Sequence, residues 1–269
     1  MLESLDELIE QNNLQFVDHN VQETVDNDGI NITFNIFEGE KVLVERIDVL
    51  GNNITNEDVI RGELLLDEGD PYTQLAIEKS VAELRARNIF KNVSYEVVPG
   101  SEANLKKINL TVEEKATGEI SAGAGVGTSG GTVAFNIKEN NWLGQGKIVQ
   151  FNLELDEEQL KGTINYENPN YDFLGNSINY FLTSESNDKP DKGYENSVTA
   201  AGVNTSFEQY KDLRASLGIS ASYDDLRTDG TASDSIKKQA GTFSEILGTY
   251  GFTYDKRNRA FMPTDGSII

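Results

Sequence analysis

Gly127-Thr128-Ser129-Gly130-Gly131 has the G-x-S-x-G spacing of a nucleophile elbow. That chemistry needs the serine on a sharp strand-to-helix turn, with an acid and a histidine further along the chain. Here the only histidine, His19, lies upstream, and residues 132–138 alternate as a strand. The overlapping Gly125-x-Gly127-x-x-Gly130 has the spacing of a dinucleotide fingerprint. It too needs a following helix, whose first N–H groups would meet the phosphates. A hairpin turn accounts for both patterns. Residues 26–29 resemble part of a calcium loop, but Thr24 and Asn35 stand where that loop carries acidic ligands. Asp156-Glu157-Glu158 reads as a solvated turn. With no cysteine, the chain has no thiolate nucleophile and no cysteine zinc site. The residues point to no enzyme, no cofactor and no metal.

Composition narrows the class further. The 269 residues carry a formal net charge of -22 and a pI near 4.3. Phosphate backbones need clustered Lys and Arg, so nucleic acid is excluded as a partner. Mean hydropathy is -0.46, and no apolar run approaches the roughly 20 residues of a spanning helix. A spanning β-strand needs only about 9–11 alternating residues. Residues 1–10 are acidic, with Leu2, Leu5, Leu8 and Ile9 at helical spacing, which is the opposite of a signal peptide. Either the protein is cytoplasmic or its natural start lies further upstream.

The elements fall into two halves that meet near Thr117–Gly118. In the first half, residues 14–24 and 30–37 read as strands around a turn at Asn27-Asp28-Gly29. A second unit follows. Residues 44–50 form a strand, and Thr55 caps a helix with Val59, Ile60 and Leu64 on its apolar face. Thr73 caps another helix, with Ile77, Val81 and Leu84 on one face. Residues 93–98 and 107–113 complete a β-α-α-β-β module. Ile30-Asn31-Ile32-Thr33 returns as Ile108-Asn109-Leu110-Thr111, at an offset of 108 − 30 = 78 residues. Residues 1–40 therefore read as the end of one repeat, and 41–116 as a complete second one. Tandem repeats suit extended binding surfaces.

After Gly118 the helical period gives way to about eight alternating segments. Val149, Phe151, Leu153 and Leu155 oppose Gln150, Asn152 and Glu154. Leu213, Ala215, Leu217, Ile219, Ala221 and Tyr223 oppose Arg214, Ser216, Gly218, Ser220 and Ser222. Ile246, Gly248, Tyr250, Phe252 and Tyr254 oppose Thr249, Gly251, Thr253 and Asp255. A soluble sandwich and a membrane barrel both alternate in this way. The small polar second faces, the aromatics Trp142, Tyr171 and Phe173, and loops at 187–195 and 226–241 favour the barrel.

Several stretches resemble the BamA family of outer-membrane assembly factors. In the module they are residues 47–52, Val59-Ile60-Arg61-Gly62-Glu63-Leu64, Glu68-Gly69-Asp70 and Phe90-Lys91-Asn92-Val93. The junction VEEKATG at 112–118, running into Gly123-Ala124-Gly125, resembles the family's passage from repeat to barrel. Residues 140–146 (NNWLGQG), Asn168-Pro169 and Pro263-Thr264-Asp265-Gly266 continue the resemblance, and Met262 departs from the Phe common there.

The resemblance implies an α+β POTRA repeat followed by an antiparallel transmembrane β-barrel, present as about its first half over 117–269, with a ninth strand starting at Ser267-Ile268-Ile269. It implies a bacterial (Gram-negative) outer-membrane protein with periplasmic repeats. The expected task is insertion of β-barrel proteins, with unfolded barrel clients, accessory lipoproteins and outer-membrane lipid as partners. The first barrel strand, Glu119, Ile120, Ser121, Ala122, Gly123, Ala124, Gly125, Val126 and Gly127, is the expected client-pairing edge. Glycine weakens a strand and leaves little side chain to lock its pairing. The alternatives are a secretion pore, a translocation-and-assembly module, or a passive porin or adhesin.

Overall fold

The computed structural model describes residues 17–26, 29–38, 42–127, 130–257 and 265–269. Residues 1–10, Asn27, Asp28, Thr128, Ser129, Met262, Pro263 and Thr264, all used above, lie outside the described residues. The chain divides into two compact units. One holds residues 1–53 and 63–115, and the other holds Ile54–Gly62 and Ala116–Ile269.

The first unit opens with an antiparallel hairpin, β1 (Val17–Asp26) and β2 (Gly29–Glu38). Isoleucine or phenylalanine alternates with asparagine or threonine along β2, which sets an apolar face of Ile30, Ile32, Phe34 and Ile36. All four are exposed. On the other face the Asn35 amide donates to Asn20 Oδ1 at 2.9 Å.

A three-stranded sheet of order β3-β5-β4 follows, made from β3 (Leu43–Leu50), β4 (Phe90–Pro99) and β5 (Leu105–Glu114). The outer strands flank β5, with β3 parallel to it and β4 antiparallel. Helix α2 (Gln74–Ala86) buries Ile77, Ser80, Val81 and Leu84. Thr73 caps it as its position predicts, its hydroxyl accepting from the Ala76 N–H at 3.2 Å. Val44, Ile47, Leu66, Ile77 and Ile108 form one dry cluster, edged by Leu64, Tyr72, Ala76 and Tyr95. The buried Ser80 hydroxyl donates to Ala76 O and accepts from Leu65 N–H, each at 2.8 Å. Every polar atom on it is thus paired, which is what allows a serine there.

Helix α1, between β3 and α2, differs from expectation. It is one short turn, Glu57–Arg61, with Asn56 rather than Thr55 at its N-cap position and no side-chain capping bond, and Leu64 lies beyond it. Its segment, Ile54–Gly62, packs with residues 116–269.

That second unit is an eight-stranded antiparallel meander, each strand bonded to its sequence neighbour. The strands are β6 (Gly118–Gly127), β7 (Gly130–Trp142), β8 (Lys147–Leu155), β9 (Gln159–Asn168), β10 (Ser177–Lys189), β11 (Tyr194–Tyr210), β12 (Leu213–Thr228) and β13 (Gly241–Tyr254). The start of a further strand bonds to β13, because Tyr254 and Ile269 exchange both backbone hydrogen bonds. The alternation read from sequence holds across the whole sheet. Ile137, Phe151, Ile164 and Leu182 are cross-strand neighbours, as are Val203, Ile219 and Gly248. Asn136, Asn152, Thr163 and Thr183 pair on the opposite face. The 187–195 loop is a correction. β10 runs to Lys189 and β11 starts at Tyr194, leaving only a 3-10 turn at Pro190–Lys192 and Gly193. The 226–241 loop is likewise shorter, because β12 runs to Thr228. A four-residue helix, α3 (Asp234–Lys237), sits within it.

Candidate functional site

The expected pairing residues all lie on β6, an edge of the meander. β6 bonds to β7 over its full length, from Gly118↔Glu139 to Gly127↔Gly130, so its other edge has no strand beside it among the described residues. Glu119, Ile120, Ser121, Ala122, Gly123, Ala124, Gly125 and Val126 are all exposed, Val126 at 93 %. Gly127 closes the strand opposite Gly130.

Gly123 and Gly125 differ from Gly202 and Gly218 inside the sheet. A Cβ added at Gly123 or Gly125 meets nothing within 4 Å. A Cβ at Gly202 in β11 would overlap the Phe181 ring and the Ile219 carbonyl, and one at Gly218 in β12 would overlap the Asn204 and Thr249 side chains. Gly202 and Gly218 therefore make room for neighbours, whereas Gly123 and Gly125, like Gly162 in β9, have open space where a Cβ would stand. Relief of crowding does not explain them.

On the polar face, Ser121 and Gly123 border a recess of about 390 Å3 lined also by Asn136, Asn152, Lys161 and Thr163. Asn136 donates to Asn152 Oδ1, and so does Gln150 Nε2, at 3.1 Å. Lys161 pairs with Glu185 at 3.3 Å. These are groups that want water, which suits a wet lumen.

The foot of β6 is built differently. Four polar residues are buried among the described ones: Thr55, Ser80, Asn140 and Asn141. Three of these belong to the second unit, and two meet directly. β7 shifts register against β8 between Glu139 and Trp142. Asn140 turns to β6, its backbone N–H and its Nδ2 donating to Thr117 O at 3.2 and 3.1 Å and its Nδ2 also to Glu119 Oε1 at 3.2 Å. Asn141 Nδ2 donates to Thr55 Oγ1 at 2.9 Å, and Asn141 Oδ1 accepts from Gly146 N–H at 2.7 Å. The Asn56 N–H donates to Gly144 O at 2.8 Å. Gly144 has a φ of +72°, and a Cβ there would overlap the Ile54 carbonyl, so glycine is required. On the next turn Asn170 Nδ2 donates to Gly62 O at 2.9 Å. Sequence reasoning marked Asn140 and Asn141 only as part of a familiar motif and took Thr55 for a helix cap.

Residues 42–115 match the POTRA family model, described as a surface antigen variable number repeat, and residues 141–269 match the Omp85 superfamily domain. The outer membrane protein assembly factor BamA of Neisseria meningitidis is 26% identical over 258 residues, covering 89% of this chain and 32% of its own length. The two family matches and this relative support a BamA-family protein. The BamA of Neorickettsia risticii is 27% identical over 246 residues, again covering 89% of this chain and 33% of its own length. The chain thus spans about a third of these BamA relatives. Among solved structures, BamA from Haemophilus ducreyi lacking POTRA domains 1-3 has a TM-score of 0.70 at 20% identity, covering 99% of this chain and 55% of that one. CdiB from Acinetobacter baumannii has a TM-score of 0.53 at 13% identity, covering 93% and 48%.

A BamA-family chain lies in the Gram-negative outer membrane with its POTRA module in the periplasm. The end of the sheet where the chain enters β6 is then the periplasmic one. Trp142, Tyr171, Phe173 and Tyr210 are exposed at that same end, where an interfacial belt is expected.

Proposed function

We propose that this protein folds and inserts β-barrel proteins into the outer membrane, with β6 as the strand on which a client strand forms. The observation that carries the reading is the outer edge of β6: exposed, rich in Gly and Ala, and with glycines that accommodate no neighbour. An unpaired row of N–H and C=O groups is a template for β-augmentation. The same groups cannot face hydrocarbon unpaired, so the edge must be closed by another strand, the protein's own or the client's.

The POTRA module of residues 41–116 and the hairpin before it bind clients and accessory lipoproteins in this reading. Residues 1–40 are the end of a preceding repeat. Ile30 and Ile32 occupy the places of Ile108 and Leu110 in the repeated motif. Those two are fully buried in the second module, whereas Ile30 and Ile32 stand bare. The covering layer is thus supplied from outside residues 17–38. The outward apolar face of the sheet contacts lipid.

The test is site-specific crosslinking in the full-length protein during client insertion. Probes at Ser121 or Gly123 should trap a nascent barrel, and a probe at Leu217 in β12 should not. Equal trapping at both places, or at neither, removes the templating role.

A further inference from the structure

A strand as poor in side chains as β6 specifies its own register weakly. Its apolar pairs with β7 are Ile120↔Ile137, Ala122↔Phe135 and Ala124↔Val133. Slippage by one residue would exchange the two faces, but slippage by two would not. It would set Ile120 against Phe135, Ala122 against Val133 and Ser121 against Ala134. Each is an acceptable neighbour pair, so apolar packing does not hold the strand against that slip.

We propose that Asn140 is the positioning residue that locks the register of β6 on β7. All three of its bonds to the strand foot, two to Thr117 O and one to Glu119 Oε1, require Thr117 to lie opposite Asn140. A two-residue slip would set Lys115 there and move Glu119 away. The amide is only 8 % exposed, so it would lose its acceptor without gaining water, which is the costly way to lose a hydrogen bond. The register shift between Glu139 and Trp142 is what allows the lock. It takes Asn140 out of the β8 ladder and leaves its side chain for β6. Asn141 supports the turn from behind through Thr55 and Gly146 but makes no side-chain bond to β6. A client strand forming on the outer edge of β6 would then take its register from this fixed foot. That last consequence rests on the proposed function; the lock itself does not.

The test needs no client. In the full-length protein in outer membranes, Ser121→Cys is combined with Asn136→Cys, its present partner, or with Ala134→Cys, its partner after a slip. With Asn140 intact, disulfide trapping should occur for the first pair. Asn140→Ala, and Asn140→Asp of the same shape but unable to donate, should raise the ratio of the second product to the first about tenfold, the effect of one buried hydrogen bond. Asn141→Ala should lower heat resistance and leave the ratio unchanged. If a variant accumulates poorly, the ratio is read in the fraction refolded into phosphatidylcholine vesicles. An unchanged ratio in both Asn140 variants overturns the proposal, and so does an equal change in Asn141→Ala. Absence of client trapping at Ser121 together with the expected rise in the ratio would count against the templating reading and leave the lock standing.

Discussion

In β5, Ile108, Leu110 and Val112 alternate with Asn109, Thr111 and Glu113, and the apolar set is buried beneath 4 % exposure. In β12, Leu217 and Ile219 alternate with Ser216, Gly218 and Ser220 in the same way, yet they are 51 % and 57 % exposed. Tyr250, beside Leu217 in β13, reaches 80 %. The period is the same; the missing layer is not. Helix α2 lies over the module's sheet, whereas among the described residues the second unit has only the short helices α1 and α3. The module carries its own apolar solvent, and on the proposed reading the barrel strands borrow theirs from the bilayer. Period 2 alone therefore tells where a sheet is two-faced, and the supply of covering helices tells what each face meets.

The largest expected difference comes from charge. Leu110→Lys puts an unpaired ammonium at a fully buried position of the module's sheet and should abolish the cooperative thermal melt of residues 42–115, a loss above roughly 4 kcal/mol. Leu217→Arg, at a lipid-facing place, should cost about 2–4 kcal/mol in a denaturant titration of the membrane-inserted protein. If Leu217→Arg were neutral, the lipid assignment of that face would fall.

Cavities come next. Ile108→Ala should destabilise the module by about 2–5 kcal/mol. In the barrel sheet the sharper probe is a pair of glycines. Gly202→Ala must push against Phe181 and the Ile219 carbonyl and should cost about 1–3 kcal/mol. Gly123→Ala should leave stability within roughly 0.5 kcal/mol. Equal effects in urea titrations of the two variants would erase the distinction drawn between edge and interior glycines.

Labelling tests the faces without a stability change. Single cysteines at Asn152, Ser216 and Thr249 should react with a water-soluble maleimide, and those at Phe151, Leu217 and Tyr250 should not. The smallest effect is electrostatic and lies in the module. Glu45 accepts from Ser101 N–H at 2.6 Å and lies 3.4 Å from Lys107 Nζ. The Ser101 backbone bond chiefly holds its carboxyl below the ordinary range, against desolvation and with help from Lys107. Its folded pKa is depressed, so its contribution is present above the unfolded value of 4.5 and fades as pH falls through that region. Melting temperatures of wild type and Glu45→Gln should converge in acid and separate slightly at neutral pH.

Much of this was legible in the chain. The module's strand and helix order, the Thr73 cap and the buried faces Ile77, Val81, Leu84 follow from local spacing. So do the eight barrel strands, because a period of two is a local property. What was hidden is long-range. Thr55 has the right type and place for a cap, but its hydroxyl accepts from Asn141, 86 residues away, and the helix starts one residue later, after Asn56. The stretch 187–195 looks like a loop because Asn187, Asp188 and Pro190 are turn formers. It is mostly strand because β10 and β11 continue as a two-sided polar ribbon, where neither face needs to be apolar. The Asn140 network left no periodic signal at all.

The strand lengths have a further consequence. β6 has 10 residues and β11 has 17. At about 3.3 Å per residue and a tilt near 40°, these rise roughly 25 and 43 Å along the barrel axis. The hydrophobic band is about 25 Å tall. The wall at β6 is therefore no higher than the oil it stands in, while the wall at β11 rises well clear of it. The rim on the outer side is a slope. Its tall flank, with Glu195, Asp225 and Arg227, meets the extracellular water and whatever touches the cell.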